Sequence, residues 1–222
     1  MSLFPKALLA LGLLSCVSLV QATPIRSEVG HFSVTYAAPT DPADPFKLAF
    51  LSGSQDTVYF QSSSFKAMTP GGQSEPGVQL LLTLEIDPGY VFSGLSFTER
   101  GNYYLSGGGE VGVETVITLT DLATNNFVAL NLASDSLNVQ RDLTFWYLDG
   151  TLGPVGQGAS QTLEIKLDST LSSSAPTGLA FIQNTYVGFQ IMTVAAVPEP
   201  SSLALVLAGI LAATLAGRRV IS

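Results

Sequence analysis

Cysteine and histidine are almost missing from this sequence, with one of each in 222 residues. Structural and catalytic zinc sites draw on sets of Cys and His, so the usual zinc centres and a His-rich catalytic centre are excluded. The single Cys16 lies close to the N-terminus, and the rest of the chain has no thiol from which to build a disulfide framework. Charge is scarce as well. Asp, Glu, Lys and Arg together make 12% of the residues, against roughly 25% in an average globular protein. Basic charge is scarcest: nine Lys and Arg face seventeen Asp and Glu, for a net charge of −8. A nucleic-acid partner is excluded on that ground, because binding a phosphate backbone takes clustered cations. Outside the two ends, no window carries a helical stripe of roughly 3.6-residue period. With 46% hydrophobic residues the chain is also not a disordered one, and its length suits one domain with appended segments.

The appended segments are at the ends. Residues 1–22 read MSLFPKALLALGLLSCVSLVQA: Lys6 and the α-amino group, then an apolar run over 7–20, then Ala22 as a small residue at the cut. That is the pattern of a secretory signal peptide cleaved after Ala22. Leu13-Leu14-Ser15-Cys16 resembles a lipobox, but the apolar run continues past Cys16, so lipidation is the secondary expectation. Residues 197–222 read VPEPSSLALVLAGILAATLAGRRVIS. From Ser201 to Gly217 they hold 17 uncharged residues, followed at once by Arg218 and Arg219. That run is at the short end of the range for a transmembrane helix, and a basic pair after a span holds that end in the cytoplasm. Both ends therefore predict one topology, with the intervening chain exported.

Pro198-Glu199-Pro200, the apolar span and Arg218-Arg219, in that order at the extreme C-terminus, resemble the PEP-CTERM sorting signal of Gram-negative bacteria. The resemblance implies processing by an exosortase, a membrane-embedded transpeptidase-like cysteine enzyme. It further implies delivery by the general secretion machinery through an inner-membrane intermediate to the periplasm, cell surface or extracellular matrix. Two prolines fix φ and remove backbone donors, which keeps Glu199 extended ahead of the helix. The stretch 90–113, YVFSGLSFTERGNYYLSGGGEVGV, is similar to one common in PEP-CTERM passenger domains: a strand, an acidic-Gly turn, a Tyr, then a Gly-rich turn into another strand. Such passengers accompany exopolysaccharide production and biofilm or floc formation.

The segment 23–196 is the expected passenger domain. Through residue 197 it carries six basic and sixteen acidic residues, a net charge of −10. Period-two alternation dominates it. Examples are Phe32/Val34/Tyr36, Val78/Leu80/Leu82/Leu84/Ile86, Val111/Val113/Thr115/Ile117/Leu119, Val128/Leu130/Leu132, Leu163/Ile165/Leu167 and Phe189/Ile191/Thr193. In 143–148, Leu143, Phe145 and Tyr147 face opposite Trp146 and Leu148. Each set predicts a half-buried strand. Turn signals separate them at Asp41-Pro42, Pro70-Gly71-Gly72, Asp87-Pro88-Gly89, Gly107-Gly108-Gly109, Asn125-Asn126, Asp149-Gly150 and Pro176-Thr177-Gly178. About nine to eleven strands with short connections predict an all-β fold, an antiparallel β-sandwich of jelly-roll kind. A signal helix precedes it and a transmembrane helix follows.

Candidate chemistry is thin. A Ser-His-Asp triad would have to use His31, and no Gly-x-Ser-x-Gly elbow accompanies it. Glu85 with Asp87, Glu110 with Glu114, and Asp142 with Asp149 are the carboxylate pairs that glycoside hydrolysis would need, although each reads as readily as a solvated strand face. Calcium would find oxygen ligands in the 40–44 loop or at Asp135 and Asp149, but no EF-hand loop is present. Tyr103, Tyr104 and Trp146 could stack on sugars, while alternation favours a buried Trp146. The expectation is therefore a non-enzyme without metal or cofactor, structural or adhesive in exopolysaccharide or biofilm. The alternative is a carbohydrate-binding module delivered to the cell surface; a polysaccharide-active enzyme is the third reading.

Overall fold

A computed structural model describes residues 24–36, 45–46, 49–135, 137–155 and 161–196. The expected signal peptide, the 40–44 loop and the expected sorting segment with Pro198, Glu199, Pro200, Arg218 and Arg219 lie outside the described residues. Among the described residues there is no helix long and apolar enough to cross a membrane.

Thirteen strands make up the fold of the described residues. They are β1 (Ile25–Ser27), β2 (Phe32–Tyr36), β3 (Ala49–Leu51), β4 (Thr57–Gln61), β5 (Lys66–Thr69), β6 (Gly72–Ser74), β7 (Gly77–Ile86), β8 (Tyr90–Ser106), β9 (Glu110–Asp121), β10 (Phe127–Ala133), β11 (Thr144–Leu152), β12 (Thr162–Ala175) and β13 (Leu179–Ala195). They form two antiparallel sheets. The first runs β1-β2-β7-β12-β9-β10, with β6 also on β12; the second runs β11-β8-β13-β4-β3, with β5 also on β13. The chain is all-β and sandwich-like, as its alternation predicts. Pairing is nested: β9 with β10, β8 with β11, β7 with β12, and β5 with β13. Successive nested pairs fall in alternate sheets, so one long ribbon closes over a single core.

The predicted apolar ladders supply that core. Leu82, Leu84, Ile117, Leu119, Ile165 and Leu167 face inward from the first sheet. Leu95, Phe97, Trp146, Val187 and Phe189 meet them from the second. Burying each such side chain is worth roughly 1.5–3 kcal/mol, which is how alternate strand faces fix the register.

Three expectations fail. The count of strands is thirteen, because β1, β3 and β6 are three residues long and too short to show a period. The acidic-Gly turn expected at Glu99-Arg100-Gly101 does not exist; β8 runs straight through it for 17 residues. Glu99 is held inside by hydrogen bonds, and Gly101 lies directly opposite Trp146, where the Gln183 backbone carbonyl first and the Trp146 ring second leave no room for a β-carbon. Asp149-Gly150 is likewise strand, within β11, where the bare Gly150 packs against Leu130 of the other sheet. The other described turns hold. Gly71, Gly89, Gly107 to Gly109, Asn125 and Gly178 all adopt the positive φ that a tight turn requires.

Candidate functional site

The outer face of the second sheet carries a row of rings. Alternation turns Trp146 and Leu148 inward, so Phe145 and Tyr147 of β11 stand outward at 79% and 73% exposure. Arg100 of β8, between buried Glu99 and Gly101, lies opposite Tyr147. Its guanidinium sits 4.4 Å over the Tyr186 ring of β13, a cation–π contact. Tyr186 stacks on Tyr59 of β4 with centroids 5.6 Å apart and planes at 22°. Tyr59 stacks on Phe50 of β3 at 5.4 Å and 25°. Tyr147, Arg100, Tyr186, Tyr59 and Phe50 thus cross β11, β8, β13, β4 and β3 in their order in the sheet, a span of about 19 Å at the usual strand spacing.

Two local features place Tyr186. A register shift between Asn184 and Tyr186 inserts Thr185 as an extra residue, so Tyr186 faces outward between inward Asn184 and Val187. Gly188, two residues on, has no side chain. A β-carbon there would come within 2.8 Å of Tyr186 Cε1 and Cζ, so the ring lies flat over this glycine. Amides and hydroxyls flank the row. Asn102 and Gln183 are paired on one side; Thr98 pairs with Asp149 and Gly188 on the other.

At the β11 end the row opens into a groove of about 650 Å³ lined by Thr98, Arg100, Phe145, Trp146, Tyr147, Asp149, Gly101 and Thr185. Trp146 forms part of the lining at 3% exposure, and its indole N–H is buried without an acceptor among the described residues. Flat ring faces beside amide edges fit ligands with apolar faces and hydroxylated rims.

Beneath the row lies a buried carboxyl. Glu99, with no exposed surface, accepts from Thr115 Oγ1 at 2.5 Å, Ser169 Oγ at 2.8 Å and Asn184 Nδ2 at 2.6 Å. Burial pushes its pKa above the ordinary 4.5, against the three hydrogen bonds that favour the charge. Asn184 ties this knot to the bulge that displays Tyr186.

The residues singled out from sequence are scattered. His31, in a positive-φ turn, stacks on Tyr90 at 3.6 Å. Glu85 is exposed on β7, and Asp87 in the following turn bonds Arg26 at 3.1 Å. Glu110 and Glu114 stand outward on β9, and Asp142 and Asp149 are both exposed. Glu110 and Asp135 do meet Glu75 in a serine-lined cleft of about 360 Å³. Even so, no group of three His, Cys, Asp or Glu among the described residues is placed to hold a metal ion. Tyr103 is buried at 2% exposure and unavailable to a ligand; Trp146 is buried, as its alternation predicts. Sequence reasoning missed Arg100, Tyr59, Tyr186 and Phe50. The signal for Tyr59 and Phe50 was an outward ring on short strands, and for Tyr186 it was hidden by the bulge.

No protein-family model matches the chain, and no curated protein does. Solved structures similar to it include TmCBM61 in complex with β-1,4-galactotriose, at TM-score 0.23 and 11% identity over 77% of this chain and 92% of that one. Others are an infectious bursal disease virus structure (Gx strain), at TM-score 0.30 and 15% identity over 76% and 42%, and a family 16 carbohydrate-binding module, at 0.22 and 13% over 76% and 89%. The chain spans less than half of that viral chain. Overlaps this loose carry no argument about function.

Proposed function

We propose that this chain is an exported, non-catalytic surface or matrix protein whose sandwich binds polysaccharide through the outer face of its second sheet. The observation that supports this reading is the continuous row Tyr147–Arg100–Tyr186–Tyr59–Phe50. Exposed rings lying flat on a sheet stack against the apolar faces of pyranoses, and the amides beside them meet the hydroxyls. Such binding is the adhesive role expected of a protein in exopolysaccharide or biofilm, carried out in the manner of a carbohydrate-binding module. The nested strand pairs are read as a jelly roll, a ribbon rolled into two packed sheets. Export rests on residues 1–22 and on Pro198, Glu199, Pro200, Arg218 and Arg219, with an exosortase as the processing partner.

The binding test is a titration of the full chain against a glycan panel, read by the fluorescence of Trp146, the only tryptophan. Binding to at least one polysaccharide is expected, with Tyr59→Ala and Tyr147→Ala each weakening it about tenfold, the loss of roughly 1.4 kcal/mol. Absence of binding by natively folded protein, or unchanged affinity in both variants, overturns the reading.

A further inference from the structure

The groove at the β11 end of the aromatic row holds one cation and one anion that do not pair with each other. Arg100 and Asp149 both line it, Arg100 opposite Tyr147 and Asp149 two residues further along the same face of β11. Neither makes an ion pair among the described residues; Arg100 is engaged by the Tyr186 ring instead. The remaining polar side-chain groups at the groove are the hydroxyls of Thr98, Thr185 and Tyr147 and the buried N–H of Trp146. All of these are neutral. The segment around it carries a net charge of −10, and the outward carboxylates Glu85, Glu110, Glu114 and Glu164 belong to the other sheet.

We infer that this groove binds a residue of an uncharged polysaccharide, with Asp149 selecting against acidic ones. The inference rests on the polysaccharide-binding reading and narrows it. An ionised carboxylate is an acceptor only, with two oxygens for hydroxyl donors. On a neutral sugar, Asp149 takes hydroxyl protons while the Arg100 guanidinium donates to hydroxyl or ring oxygens of the same ligand. On a uronate or sulfated sugar, the same carboxylate faces like charge and offsets what the Arg100 guanidinium beside it would gain, in a body of net charge −10 that repels polyanions. Attraction to a neutral ligand uses no counter-charge, so it is insensitive to salt.

The test is affinity electrophoresis of the full chain through gels holding neutral polymers (β-galactan, xyloglucan, glucomannan) or acidic ones (alginate, polygalacturonate), at low and high salt. The wild type is expected to be retarded by at least one neutral polymer, with less than about a twofold change between salts, and to pass through acidic gels freely. Asp149→Asn keeps the shape and is expected to weaken neutral binding several-fold. Asp149→Lys is expected to create salt-sensitive retention in acidic gels. Asp149 is an exposed strand residue, so both variants should fold, their stability moving by about 0.5 kcal/mol or less. Retention of the wild type by acidic polymers, or unchanged neutral binding in Asp149→Asn, overturns the inference. If Tyr147→Ala still weakens whatever binding is seen, the broader reading survives that failure. If no polymer retards the folded wild type, both fall together.

Discussion

Glu99 puts an ionisable carboxyl where the two sheets meet, with Leu148 and Val187 opposite it across β11 and β13. The groups packed around it from β9, β12 and β13 are Thr115, Ser169 and Asn184, none of them charged. A proton on Glu99 completes the hydrogen bonding. Its O–H can donate to Thr115, freeing the Thr115 hydroxyl for Ser169 at 3.2 Å, while Ser169 and Asn184 donate to the other oxygen. The ionised form leaves one of those contacts without a proton and an unpaired charge in the core. The folded pKa is raised, so this contribution to stability is full below the unfolded value and is lost as pH rises through the folded one. Over that window the wild type should lose about 1.4 kcal/mol per pH unit. Glu99→Gln, which keeps the shape and carries no charge, should flatten the profile. Urea unfolding at a series of pH values checks this, and equal slopes for the two proteins would refute it. Asp56 works in the opposite sense at the surface. The hydroxyl of Ser54 foremost, then Gln190, Thr57 and Ser52, hold its pKa at about 2 against the effect of burial. Its contribution is present above 3.8 and is lost as pH falls through about 2.

β13 is the element on which the site depends. Its 17 residues pair with β8 along one side and with β5 and then β4 along the other. It carries both the bulge at Thr185 and the bare Gly188 on which the Tyr186 ring rests. Gly188→Val should lift that ring and break its stacking on Tyr59. The expected result is roughly tenfold weaker glycan binding with stability changed by less than about 1 kcal/mol, because valine suits a strand. Calorimetric titration beside thermal melts tests this; unaltered affinity would show that the flat ring is not needed. Most strands were legible in the sequence because a half-buried sheet writes a period of two, as in β7, β9 and β12. The site was legible only at β11, where Phe145 and Tyr147 alternate with Trp146. An inserted residue breaks the period at Tyr186, and β3 is too short to have one. Arg100 falls in the stretch whose resemblance to PEP-CTERM passengers implies an acidic-Gly turn, where β8 in fact runs on as strand. Only the partners contributed by β9, β12 and β13 make Glu99 a core residue.

The last backbone hydrogen bond of the sandwich runs from the Ala196 N–H to the Gly89 carbonyl at 2.8 Å. It fixes where the C-terminal segment leaves the fold: the end closed by the Asp87–Gly89 turn, where His31 stacks on Tyr90 and Arg26 bonds Asp87. The ring of Tyr186 belongs to a residue of β13 ten positions before Ala196, about 30 Å away along the strand. The exit of the C-terminal segment and the proposed binding face therefore lie at separate places along β13. A cut at or just after residues 198–200 leaves every described strand in place, so processing should release or re-anchor the sandwich without altering what it binds. Two measurements follow from that separation. A chain of residues 24–196 should unfold cooperatively and bind the same polysaccharide with the same affinity as the full chain, to within about twofold. Intact mass from a host with an active exosortase should show a product starting near residue 23 and ending near residues 198–200, while a host without one should retain Arg218 and Arg219. If the 24–196 chain folds but loses binding, the C-terminal segment contributes to the site and the tether is not separate from it. If both hosts keep the complete tail in the inner membrane, the C-terminus is an ordinary anchor, and the binding face works from a fixed point on that membrane.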